Sequence, residues 1–252
     1  MIEIFILSLI QGVTEFLPIS SSSHLILLSE YLNLENQSLS IDVSLHIGSF
    51  FAVIVYFQKD LLNFAKNKRL LVKVFFASFP VMIVGFILVH FNLIDKLRNI
   101  EIIAWTTIIF GILLFISDNF KLEKKIETHF NYKSVFFIGF FQILSLIPGV
   151  SRSGISITAA RFLKFERVDA AKISFLISIP TLGAVSLFGL YNLTNSQDLN
   201  FSLINMLSIL LSFFFSFLTI KYFLKYIEKF DLKIFILYRV LLGAFLLFIV
   251  YL

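Results

Sequence analysis

Residues 11–24 read QGVTEFLPISSSSH, from Gln11 through Glu15 and Pro18 to Ser20, Ser21, Ser22, Ser23 and His24. Within two turns of helix and a break, this stretch holds an amide, a carboxylate, an imidazole, a threonine hydroxyl and four serine hydroxyls. It follows the apolar run MIEIFILSLI. Polar and ionisable groups are costly at hydrocarbon depth, and where they occur in membrane proteins they mark function or pairing. Pro18 ends or bends any helix through the stretch, because its ring cannot join the hydrogen-bond ladder.

The surrounding chain makes a membrane setting the natural one. Its 252 residues are 58% hydrophobic, include 33 Phe and are only 15% charged, and mean hydropathy is +0.93. A soluble domain carries far more charge to wet its surface. The expected class is an all-α polytopic membrane protein, since the short alternating segments of a β-barrel are absent. With no cysteine, a disulfide framework or thiolate metal site is excluded. The start, MIEIFILSLIQ, lacks a basic n-region and a cleavage site, so it is expected to belong to the mature fold as one membrane domain over 1–252.

Six segments are long and apolar enough to span: roughly 41–58, 70–91, 101–118, 168–191, 202–224 and 233–252. Two more, about 1–33 and 134–164, are broken near their middles, the first by Pro18 and Ser20–Ser23, the second by Pro148, Gly149 and Ser151–Gly154. Short half-helices about a polar turn are the sequence form of a re-entrant hairpin. Lys and Arg gather at 59–73, 119–133, 161–172 and 221–233 and are absent from 1–40 and 190–201. The positive-inside rule makes the four basic regions cytoplasmic and the 92–100 loop external. This distribution also accounts for the net charge of +5 without nucleic acid. The sides agree only if both broken regions return to the side they came from, which puts both termini outside and opposes the two hairpins. That is an inverted-topology repeat, about 1–118 and 119–252. Aligning Pro18 with Pro148 superposes Ser21 on Ser151 and Ser23 on Ser153.

Gln11 and Glu15, four apart, share a helix face. Serines after Pro18 can cap a second helix whose free N–H groups suit a phosphate. Ser21 and His24 then share a face beside Glu15. In PGVSRSG, residues 148–154, Arg152 offers a planar fork for phosphate, Gly149 and Gly154 permit close approach, and Ser151 and Ser153 add hydroxyls. Together these are the parts phosphoryl transfer needs. Glu15, Ser21, His24 and Arg152 are the expected catalytic groups, with Ser20, Ser22, Ser23, Ser151, Ser153, Gly149, Gly154 and His46 around the substrate. The rival reading of Glu15 and Arg152 is an intramembrane ion pair holding the halves together, and that of the serines is packing near proline. Gln11 can orient Glu15, help hold a metal or pack. Gln142 is expected to pair with Glu15 or a serine, and His90 and His129 to lie at loops. Asn192-Leu-Thr194 matches a glycosylation sequon with nothing else to indicate a secretory host.

The run from Glu15 through Pro18 and Ser21 to His24, together with Pro148-Gly-Val-Ser-Arg152-Ser-Gly154, resembles the undecaprenyl-diphosphatase (bacitracin-resistance) family of bacterial inner membranes. The resemblance extends over essentially the whole chain. It implies hydrolysis of undecaprenyl diphosphate to undecaprenyl phosphate and inorganic phosphate, recycling the lipid carrier for cell-wall synthesis, at a site open to the external face. It also implies a divalent cation, Mg2+ or Ca2+, with Glu15 and Gln11 as the protein ligands. By motif position the family's functional residues fall on Glu15, Ser21, Ser22, His24, Ser151 and Arg152. Many members carry a second glutamate where this chain has Gln11, and a threonine where it has Ser22.

On this reading the partners are the lipid diphosphate and membrane lipid, with a homodimer compatible. Either Ser21 attacks phosphorus with His24 carrying the proton, or His24 attacks with Ser21 orienting. The alternatives are a polyprenyl-phosphate flippase or secondary transporter on the same architecture, and a protein that only sequesters the carrier.

Overall fold

The computed structural model describes residues 1–32, 38–66, 68–121, 123–195 and 203–252. They form twelve α-helices: α1 Ile2–Thr14, α2 Ser21–Leu32, α3 Leu39–Tyr56, α4 Gln58–Lys66, α5 Lys68–His90, α6 Ile100–Asp118, α7 Ile126–His129, α8 Tyr132–Ile143, α9 Arg152–Phe162, α10 Arg167–Asn195, α11 Leu203–Ile227 and α12 Lys233–Tyr251. Among the described residues no strand occurs beyond an isolated bridge between Lys124 and Phe165. Six helices, α3, α5, α6, α10, α11 and α12, are long and apolar enough to cross a membrane, and each lies within a few residues of its expected bounds. The chain is a multi-pass membrane protein. The 59–73 connection contains α4, and of the 190–201 connection residues 190–195 belong to α10 while 196–201 lie outside the described residues.

Helix starts follow local chemistry. Ser38, Asn99 and Asn131 cap α3, α6 and α8, their side-chain oxygens accepting N–H groups that the first turn cannot satisfy. Pro80 and Pro180 sit inside α5 and α10. Beside the second, the Ser78 hydroxyl donates to the Ile177 carbonyl at 2.7 Å and ties the two helices together, as hydroxyls do around prolines in lipid.

Helices from the first and second parts of the chain pack against one another. α1 lies on α11 as α8 lies on α5, while α3 meets α10 and α6 meets α12. Small residues permit these contacts. A Cβ on Gly12 would fall 2.5 Å from that of Phe215, and one on Gly139 would fall 2.6 Å from the Ala77 carbonyl oxygen. Between α3 and α11, Ser49 meets Ser216 at 2.9 Å, and Ser212 donates to the Leu45 carbonyl at 2.7 Å.

The basic regions meet one another at one end of the bundle. Asp118, at the end of α6, accepts from Arg161 at 3.2 Å, from Arg167 at 2.8 Å and from the Leu232 amide at 3.3 Å. Lys73 donates to the Phe130 carbonyl at 2.6 Å. Ile4 and Leu7 of α1 share a cluster with Ile41 and Ile204, while Ile26 and Leu27 of α2 pack on the cluster of Ile103, Ala104 and Leu246.

The two interrupted turns, Glu15–Ser20 and Leu144–Ser151, converge near the middle of the bundle and are held by a residue of the last helix. Arg239 on α12 is fully buried. Its Nη1 donates to the carbonyls of Pro18 and Val150 at 3.1 Å, its Nη2 to Gly149 at 2.8 Å and its Nε to Thr107 of α6 at 3.2 Å. Broken helices leave carbonyls without intrahelical partners, and lipid offers none. One guanidinium meets three of them, from both turns at once.

Each hydrogen bond to a charged group contributes about 1.5–3 kcal/mol. Arg239→Leu should therefore lower stability by at least about 3 kcal/mol, read as a large fall in melting temperature in detergent. Arg239→Lys, whose single ammonium cannot span both turns, should fall between that variant and the native chain. Native-like melting of Arg239→Leu would remove the clamp from the account.

Candidate active site

The turns differ in sequence but share a backbone device. Ser20 has φ +75° and Ser151 φ +71°, the left-handed region that non-glycine residues seldom adopt. Each precedes a helix. Ser20 Oγ contacts Ser22 Oγ at 3.3 Å and Ser23 Oγ at 3.0 Å. Ser151 Oγ contacts Ser153 Oγ at 3.1 Å and accepts the Gly154 amide at 3.1 Å, capping α9. The matching residues are 131 positions apart, Ser20 with Ser151 and Ser22 with Ser153. The shared feature is the positive-φ serine before the helix, and Pro18 and Pro148 stand at different distances from it.

Glu15, only 8% exposed, is the centre of the cluster. Its Oε2 accepts from the Gln11 amide at 3.1 Å and from the Ser21 hydroxyl at 2.5 Å. Its Oε1 accepts from Arg152 Nη2 at 2.5 Å. The Gln11 contact follows from four-residue helical spacing. The Ser21 contact crosses the Pro18 break, and the Arg152 contact joins the two turns. Ser153 adds a second tie, donating to the Leu17 carbonyl at 2.6 Å. The ion pair envisaged as a rival to function is present, and it leaves Arg152 Nη1 buried without a partner.

Glu15, Ser20, Ser21, Ser22, Ser151 and Arg152 line one cavity of about 200 Å³, with His46 and Gln142 also in its wall. Val81, Leu146, Thr181 and Val185 continue from it into an apolar groove of about 340 Å³ between α5 and α10. The His46 ring is fixed by Nδ1, 2.8 Å from the Asp42 carbonyl.

Several expected contacts with substrate are engaged elsewhere. His24 is not in the cavity wall. Its Nδ1 lies 2.6 Å from the Ser20 carbonyl and its Nε2 2.5 Å from the Tyr238 hydroxyl, with the two rings stacked. Sharing a helix face with Ser21 did not bring it to the same cavity, because Tyr238 of α12 holds it. Gly149, at φ +93°, is small because it lies on α6, where a Cβ would clash with Thr106 and with the Ile103 carbonyl. A Cβ on Gly154 would fall 2.9 Å from Arg239 Nη1. Ser23 and Ser153, in the first turns of α2 and α9, are buried and lie outside the cavity wall. Gln142 pairs with neither Glu15 nor a serine: both of its amide atoms are buried with no hydrogen-bond partner. His90 ends α5 and stacks on Phe86, and His129 ends α7.

Among the described residues no three His, Cys, Asp or Glu side chains gather as a metal cage. The donors present are oxygens: the Glu15 carboxylate and the Gln11 Oε1, which is buried without a partner. Two such donors fit a hard divalent cation that draws the rest of its shell from water and phosphate.

Sequence reasoning passed over Arg239, although an arginine inside the otherwise apolar KIFILYRVLLGAFLLFIVY segment is the kind of residue that intramembrane cost marks out. It also passed over Tyr238 and the Asp118 network, whose partners are distant in the chain.

The family described as "Bacitracin resistance protein BacA" matches residues 4–245. A protein of Pelagibacter ubique (strain HTCC1062) named "Undecaprenyl-diphosphatase" is 47% identical over 252 residues, covering 99% of this chain and 98% of that one. Proteins with the same name from Jannaschia sp. (strain CCS1), at 38% identity and 98% coverage of both chains, and Saccharophagus degradans, at 40% and 94% of both, are similar end to end. With a match of that extent and these identities across its length, the chain belongs to the bacitracin resistance protein BacA family.

Proposed function

We propose that this protein hydrolyses undecaprenyl diphosphate to undecaprenyl phosphate and inorganic phosphate at the external face of a bacterial inner membrane, recycling the lipid carrier. The observation that carries the reading is Ser21, whose hydroxyl donates to a carboxylate that is also paired with Arg152, in the wall of a cavity that continues into an apolar groove. A polar headgroup suits the cavity, and the polyprenyl tail suits the groove and the lipid beyond it. A flippase or a sequestering protein would have no use for a hydroxyl aligned on a base.

The geometry supports Ser21 as nucleophile. Its proton passes to Glu15 Oε2 as Oγ bonds to the terminal phosphorus. The bond from that phosphorus to the bridging oxygen breaks, and undecaprenyl phosphate leaves with the electron pair. Water then attacks the phosphoserine, inorganic phosphate departs, and Ser21 recovers its proton. Arg152 shifts toward the phosphates as they arrive and offsets their charge, with Ser20, Ser22 and the N–H groups opening α2 as further donors. His24, engaged at both nitrogens, fixes the Ser20 carbonyl and so the strained turn, a role that favours Ser21 over His24 as the attacking group. When bound, a divalent cation supplies additional positive charge to the diphosphate. Glu15 and Gln11 are the residues that would hold it.

The orientation follows from charge. The basic end around Asp118 is cytoplasmic, and the α1–α2 unit and both termini are external. The two broken units are then opposed re-entrant hairpins, as the exchanged packing of α1 on α11 and α8 on α5 supports.

Pure protein in detergent should release phosphate from a lipid diphosphate. Ser21→Ala and Arg152→Ala should each lose about 10²-fold or more. Quenched reactions should carry phosphate on Ser21, and EDTA should suppress turnover until Mg2+ or Ca2+ is restored. Intact release by Ser21→Ala would sink the mechanism.

Because the chain has no cysteine, sidedness can be read with single-cysteine variants. A membrane-impermeant maleimide added outside cells should label Asn92→Cys and not Lys121→Cys. The reverse pattern would invert the topology.

A further inference from the structure

Gln142 stands in the cavity wall with a chemistry that the steps above do not use. It is fully buried, lies near the end of α8, and has neither amide atom hydrogen-bonded. Buried polar groups are almost always satisfied, so an orphaned carboxamide calls for an explanation.

The two halves suggest one. Gln142 stands 131 positions after Gln11, the same offset that relates Ser20 to Ser151 and Ser22 to Ser153. Gln11, also fully buried, gives its amide to Glu15, four residues on. Four residues after Gln142 stands Leu146, which accepts nothing. The second half therefore repeats the amide without the carboxylate, and Leu146 instead borders both the polar cavity and the apolar groove. In the same cavity Arg152 keeps its Nη1 buried and without a partner, because only its Nη2 meets Glu15. Two unpartnered donor groups, one cationic and one neutral, thus share one small cavity with Ser21. An anion with several oxygens satisfies both at once.

We propose that Gln142 is a phosphate-binding residue, its side-chain N–H groups donating to oxygens of a diphosphate that also engages Arg152 Nη1. The proposal deepens the diphosphatase reading and rests on it for the identity of the anion. Free diphosphate and a lipid-borne diphosphate share this chemistry, and the test uses both.

Three variants separate binding from packing. Gln142→Met keeps the volume and removes the donors, Gln142→Glu keeps the shape and adds repulsion, and Gln142→Asn withdraws the amide. For each, KM and kcat are measured with undecaprenyl diphosphate, and affinity for inorganic diphosphate is read from the melting temperature it adds to the protein in detergent. Gln142→Met should raise KM and weaken inorganic diphosphate about tenfold, with kcat changed less than about threefold. Gln142→Glu should lose more than Gln142→Met. KM and diphosphate affinity within about twofold of the native chain, in whichever variants fold, would overturn the proposal. So would a lower melting temperature with both quantities unchanged, which would make Gln142 part of the scaffold. A native chain that binds diphosphate without hydrolysing the lipid, and loses that binding in Gln142→Met, would sink the hydrolase reading and uphold this one.

Discussion

A guanidinium with no carboxylate partner, closed off from water inside a membrane protein, is an expensive object, and Arg239 is one. What it receives in return is a set of carbonyls with equal need. Each broken helix ends in backbone oxygens that lipid cannot satisfy. Alone, either turn would have to fray or draw in water. Together around a planar five-donor group, the carbonyls of Pro18, Gly149 and Val150 become mutually compatible, and the two turns can lie against each other at depth. The geometry of the site depends on that exchange, since the Glu15–Arg152 and Ser153–Leu17 contacts have meaning only if the turns stay in register.

The clamp also explains how labour is divided among the polar residues. Those that look alike in sequence are sorted by which side of the turn they face. Ser23, Ser153, Gly154, Gly149 and His24 face the scaffold: they bond to the two turns, fit against α6 or Arg239, or stack on Tyr238. Glu15, Ser21, Ser22 and Arg152 face the cavity. The first set allows the second to hold unfavourable positions, among them a positive φ at Ser20 and a carboxylate buried beside a single cation.

Much of this was legible in the chain. Spans are set by apolar length, and the bilayer fixes that length, so all six were readable. The charged end was readable too, because lysines and arginines segregate to one side, and Asp118, Arg161, Arg167 and Lys73 do gather there. Glu15 and Arg152 were visible as ionisable groups beside helix breaks. What remained hidden depends on contacts across long sequence separations. Nothing near His24 announces that Tyr238, 214 residues away, will take its Nε2. Pro18 and Pro148 invited an alignment that the backbone does not follow, because the conformation that repeats belongs to Ser20 and Ser151. Arg239 was the exception: its sequence alone marked it, as a charge well inside an apolar helix.

The comparison of the two halves carries a physical point about how such a site arises. A buried amide at Gln11 and at Gln142, followed by a strained serine and a second hydroxyl two residues on, gives each half a polar break that can survive in lipid. A pair of identical breaks would be a scaffold and nothing more. Chemistry enters where the halves differ. At the position four after the glutamine, one half has Glu15 and the other Leu146. At the first residue of the following helix, one has Ser21 and the other Arg152. Carboxylate and serine hydroxyl thus come from the first break, and the guanidinium and the opening toward the apolar groove from the second. Neither break alone brings together the Glu15 carboxylate, the Ser21 hydroxyl and the Arg152 guanidinium, so the cluster exists only where the two turns that Arg239 clamps lie against each other.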